Sequence, residues 1–171
     1  MLKSITIKGK HNQDKLFNAS KPHKRDSVAN IDKKWFERKH QIELVNSLYL
    51  NITHQIEKLG TDELKKKLRS YKVQDDKRSN YNEKLFVTSH GVLEQLVMCK
   101  LKCFYCECNL SLLYQDVRQN DQWTLDRIDN TLGHNYNNIV ISCLKCNLKR
   151  RTMDMNTFKQ YRVVNVKKQN S

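Results

Sequence analysis

Two Cys-x-x-Cys pairs constrain this chain more than any other feature. Cys103-Phe104-Tyr105-Cys106 and Cys143-Leu144-Lys145-Cys146 are separated by residues 107–142, and no cysteine precedes Cys99. A disulfide framework would scatter its cysteines more evenly and would suit a secreted chain. Two paired knuckles in one short region are instead the spacing of a structural zinc, which takes four soft ligands in a tetrahedron. Cys103, Cys106, Cys143 and Cys146 are the expected ligands. Cys99 reads as core packing. Cys108 reads as a spare thiol able to replace Cys106, because Cys106-Glu107-Cys108 looks too tight for both to bind.

The need for such a staple follows from composition. Of 171 residues, 38% are hydrophobic and 29% charged, so the core is modest, and a small core often needs a metal or a cross-link. Only 4 Gly and 1 Pro disfavour an all-β fold full of tight turns. No apolar run of about 18 residues is present for a membrane span. No apolar leader follows Met1, so an intracellular location is expected. The net charge of +14 is spread along the chain and points to a polyanion, most often nucleic acid.

The expected fold class is α+β, in three parts. Residues 1–30 read as a mobile basic arm. Residues 31–100 read as a helical region that contacts DNA or packs. One helix is expected over 32–59 from the spacing of Trp35, Phe36, Ile42, Val45, Leu48, Tyr49, Ile52 and Ile56, with Gly60 as its stop. A short helix follows from Thr61 to about Tyr71, then a polar turn over 74–82, then a third apolar segment over 83–99. Residues 101–171 form the cysteine-bearing domain. There, Trp123-Thr124-Leu125 and Ile139-Val140-Ile141 read as short strands. A helix follows Cys146, and another covers about 154–161.

A closed four-thiolate zinc does no chemistry. The residues between the knuckles are better equipped: Leu125-Asp126-Arg127-Ile128-Asp129-Asn130, Gly133-His134-Asn135 and Asn138-Ile139-Val140. Asp126 and the amide oxygen of Asn147 offer oxygen ligands to a hard cation such as Mg²⁺. A histidine opposite them can activate water for attack on phosphorus.

In this order and spacing, these segments and Cys143-x-x-Cys146-Asn147 resemble the zinc-bearing HNH endonucleases of phages, mobile introns and large DNA viruses. The resemblance covers roughly residues 103–158. It implies a ββα-metal fold and a metal-dependent DNA endonuclease with structural Zn²⁺ and catalytic Mg²⁺ or Mn²⁺. On that pattern Asp126 and Asn147 hold the catalytic ion, Asn138 holds the loop and orients the base, and a 5′ phosphate is left. Where many members have a His base after the first Asp, this chain has Arg127. Arginine stays protonated and is a poor base, so Arg127 is assigned to the scissile phosphate and His134 to the base. Lys145, Lys149, Arg150 and Arg151 lie on or near the last helix of the motif, the DNA-facing one in that family, and are expected to contact phosphates. The substitution by Arg127 also sustains an alternative, a zinc-stapled nucleic-acid-binding module without catalysis. RNA is a further substrate class that phosphate chemistry alone does not separate from DNA.

Overall fold

The computed structural model describes residues 23–163. Among these are five α-helices and one two-stranded antiparallel sheet, an α+β arrangement. Most of the expected basic arm, residues 1–22, lies outside the described residues. Its last part is anchored to the fold. The Arg25 guanidinium is buried and its Nη2 donates to both carboxylate oxygens of Glu63 at 2.6 Å. Val28 is buried just beyond it.

Helix α1 (Arg38–Leu50) buries Gln41, Leu44, Val45 and Leu48. It stops at Asn51, which takes the left-handed conformation that Asn tolerates at a helix end (φ 54°). The single helix expected over 32–59 is therefore a 3₁₀ turn, α1, and the start of a second helix. That helix, α2 (Glu57–Lys77), contains Gly60 instead of ending there. A Cβ on Gly60 would lie 2.9 Å from Leu48 Cδ1, so the glycine lets α1 and α2 pack closely. The expected turn over 74–82 is also revised. Its polar residues continue α2 to Lys77, with Tyr71 and Asp75 turned inward. Helix α3 (Ser89–Met98) starts at Thr88, whose Oγ1 accepts the Gly91 N–H at 3.0 Å. This is a side-chain cap that satisfies a free backbone donor.

Strands β1 (Trp123–Arg127) and β2 (Ile139–Cys143) pair antiparallel, with Trp123 opposite Cys143 and Arg127 opposite Ile139. The two expected strands are present. Helix α4 (Leu144–Arg150) leaves β2 directly at Cys143, and α5 (Met155–Val163) follows. A single hydrophobic cluster runs from Leu44 and Leu68 through Leu96 and Leu112 to Trp123 and Phe158. It thus joins the first helices to the hairpin on both sides of position 100. Trp123 is fully buried.

Candidate metal centre and active site

At one end of the hairpin the cysteines converge. The sulfurs of Cys103, Cys106, Cys108 and Cys143 all lie within 4.8 Å of one another, an arrangement able to hold a metal ion. Cys106 Sγ and Cys143 Sγ are 3.8 Å apart. That is close to the edge of a tetrahedron with metal–sulfur bonds of about 2.3 Å. The turn is built by backbone bonds: Glu107 N–H to Cys103 O at 2.9 Å, and Cys103 N–H to Cys108 O at 3.0 Å.

The cluster places Cys108, outside the expected ligand set, beside Cys103, Cys106 and Cys143. Cys108 joins Cys106 in the cluster because Glu107 takes a left-handed conformation (φ 57°) that folds the chain back. Cys146, expected among the four, is buried beside them, and its N–H donates to Cys143 Sγ at 3.3 Å. Cys143 also donates its own N–H to Cys103 Sγ at 3.3 Å. The Cys103 thiol is pushed up to about 12 by its bond to the Cys143 thiol and by burial. Burial pushes Cys108 to about 12 as well. A divalent metal entering here must displace protons, so binding releases them.

Toward the Arg127 end of the hairpin, α2, β1 and α4 border an open cavity of about 510 Å³, lined by Arg78, Asp126, Arg127, His134, Asn147 and Arg151 among others. His134 is held by a residue that sequence reasoning missed. Its Nδ1 lies 2.8 Å from Asp75 Oδ1, and its backbone N–H donates to Asp75 Oδ2 at 2.6 Å. Asp75 is fully buried and comes from the last turn of α2. The Tyr71 ring lies against the imidazole, with centroids 4.4 Å apart. With Nδ1 on Asp75, Nε2 is the nitrogen left for a ligand. Burial lowers the His134 pKa; Asp75 opposes this, and the charges of Arg127 and Arg78 add to the lowering. Burial thus favours the neutral ring. The glycine before it is needed for this contact. A Cβ on Gly133 would lie 2.5 Å from Asn80 O and 2.9 Å from Asp75 Oδ2.

Asp126 is buried among partners. Oδ1 accepts Arg150 Nη1 and Oδ2 accepts the Tyr105 hydroxyl, both at 2.7 Å. Burial pushes its pKa up, against the pull of Tyr105 and Arg150. Arg150, expected on a DNA-facing surface, is 1% exposed. Besides Asp126 it donates to Arg127 O at 2.7 Å and Ile128 O at 3.0 Å. It ties α4 to β1 and is unavailable to a phosphate. Lys145, Lys149 and Arg151 are exposed as expected, and of these only Arg151 lines the cavity.

Arg127 donates to Leu132 O at 3.0 Å and Asn130 O at 3.3 Å, bracing the loop while lining the cavity. Asn138 is the loop's inner clamp: its Oδ1 accepts Asp129 N–H, and its Nδ2 donates to Asp129 O and Gly133 O, all at 2.9 Å. Asn147 Nδ2 donates to Leu125 O at 3.1 Å. That leaves its amide oxygen for another partner.

Asp75 carried no local signal. It sits in a polar stretch of α2, 59 residues before the histidine it contacts. Comparison with known family models, with curated proteins and with solved structures returns no match. Among the described residues no helix is long and apolar enough to cross a membrane.

Proposed function

We propose that the chain is a metal-dependent endonuclease that hydrolyses phosphodiester bonds, with DNA as substrate, through an HNH-type site. The observation that carries this reading is a carboxylate-held histidine lining a cavity together with Arg78, Arg127 and Arg151. His134 Nε2 accepts a proton from the attacking water, and Asp75 fixes the tautomer and stabilises the imidazolium that forms. The three arginines bind the phosphate and offset its growing negative charge. Asn138 keeps the loop, and so the base, in place.

The donor set also suits a hard cation. Each Asp126 oxygen accepts one bond and keeps a lone pair, and Asn147 offers its amide oxygen. Two oxygen ligands, completed by water and substrate phosphate, are what Mg²⁺ or Mn²⁺ takes. Bound there, such an ion supplies Lewis acidity for the leaving oxygen. The cysteine cluster holds Zn²⁺ as a staple. The cell interior, a reducing compartment, keeps its thiols in metal-binding form.

The commitment of both Asp126 oxygens to Tyr105 and Arg150 favours a second reading, a zinc-stapled nucleic-acid-binding module without cleavage. Supercoiled plasmid separates the two. The wild-type chain with added Mg²⁺ is expected to nick it, and His134→Ala to lose nicking while keeping its zinc and its DNA binding. Binding without nicking under Mg²⁺ or Mn²⁺ would favour the second reading.

A further inference from the structure

A second cavity, of about 430 Å³, adjoins the first. The two share Tyr71, Gln74, Asn147 and Leu148, so together they form one groove between α2 and the hairpin with α4. The α2 wall is a single exposed stripe: Lys66, Ser70 and Gln74, ending in Arg78 just past the helix. These residues recur every four positions, the spacing of one helix face. At 1.5 Å per residue the stripe is about 18 Å long, the axial rise of about five nucleotides in a duplex strand.

The charge of the groove is one-sided. Lys66 and Lys67 line the second cavity, and Arg78, Arg127 and Arg151 line the first. The one acidic lining residue is Asp126, already paired with Arg150. Lys67 is committed to the floor, where its Nζ donates to Trp123 O and faces the Tyr114 ring, and burial lowers its pKa to about 7. Lys66 is exposed and free to meet a ligand.

We infer that this groove seats one sugar-phosphate strand, with the Lys66–Arg78 face of α2 gripping the strand beyond the His134 cavity. The inference rests on the phosphodiester reading of that cavity and extends it to a substrate several nucleotides long. It assigns strand binding to a helix outside the segments that resemble the nuclease motif.

The test is fluorescence anisotropy with a labelled twelve-nucleotide single strand and the matching duplex, in buffer without added divalent ion. The wild type is compared with Lys66→Glu, Ser70→Glu and Lys65→Glu. Lys65 is exposed on the same helix but lines neither cavity, so Lys65→Glu makes the same charge change off the groove. Each groove variant is expected to weaken binding about tenfold, and Lys66→Glu to reduce the salt slope by about one. Lys65→Glu should have a much smaller effect. Circular dichroism and zinc content should match wild type throughout, since these positions are exposed. A stronger effect on the single strand would make the occupant an unpaired strand, and a stronger effect on the duplex would make it one strand of a duplex; either upholds the groove. Equal losses for Lys65→Glu and Lys66→Glu would reduce the effect to net charge and overturn it. So would unchanged binding by Lys66→Glu and Ser70→Glu. A wild type that binds through the groove but never nicks plasmid would sink the nuclease reading and leave the groove standing.

Discussion

The two ends of the β1–β2 hairpin are held by different means. At the Cys143 end the fastening lies within the cysteine-bearing segment: thiols from the 103–108 turn and the end of β2, up to 40 residues apart in sequence, gather within 4.8 Å. At the Arg127 end it also draws on a helix outside that segment. Asp75 reaches from α2 to the loop that carries His134, and Arg150 crosses from α4 to Asp126. The first end draws only on residues 103–143 and suits closure by a metal ion. The second end forms only when α2 has packed against that segment as well. The chemically equipped cavity lies at the second end, so its geometry depends on the whole fold.

The largest effect should come from breaking the cysteine end. Structural zinc binding is itself folding free energy, so Cys143→Ser is expected to lose bound zinc and cooperative unfolding, read by metal content and thermal melting. Cys108→Ser should lower zinc content too; full retention would give the fourth ligand position to Cys146.

At the other end, Arg150→Met leaves Asp126 buried without its cation. Removing one partner of a buried pair costs about 3–5 kcal/mol. Urea unfolding should show that loss with zinc retained. A loss below 1 kcal/mol would mean the pair does not hold α4 to β1.

Gly133→Ala is a gentler probe of the same end. The added Cβ meets Asn80 O and Asp75 Oδ2, and such overpacking costs about 1–3 kcal/mol. Since the backbone shift falls at the Asp75–His134 contact, nicking should drop further than stability does.

The smallest effect is the pH dependence of stability. His134 has a folded pKa below its ordinary 6.5, lowered mainly by burial. As pH falls below 6.5, the unfolded chain takes up the proton first, and the folded chain resists it. Stability from this group is therefore present above 6.5 and is lost as pH falls toward the folded pKa. Urea midpoints for wild type and His134→Gln should differ in slope over that window and run parallel above it.

The same contrast explains what was legible from residues alone. The knuckles and strands follow from patterns within a few residues: cysteine spacing, and the apolar runs around Trp123 and Ile141. The loop clamp Asn138 lies within nine residues of its partner Asp129. Gly60 misled because a glycine that stops a helix and one that admits a neighbouring helix look alike. The stretch over 74–82 misled because an inward-facing Asp75 is as polar as a solvated turn. Arg150 reads as one more cation in Lys149-Arg150-Arg151 until α4 is set against β1, which turns it toward Asp126. Glu107 hid the place of Cys108 in the cluster, since nothing in the residue type announces a left-handed backbone.

On the proposed reading, α2 and the hairpin loop act as one catalytic unit. A double-mutant cycle on plasmid nicking tests it most directly, using Asp75→Asn, His134→Ala and the two combined, each checked for zinc content and folding. Residues that act as a unit lose activity non-additively. Each single variant should therefore lose about 10²–10⁴-fold in rate, with the double no slower than the His134→Ala single. Losses that multiply, or an Asp75→Asn chain that nicks at the wild-type rate, would contradict the account.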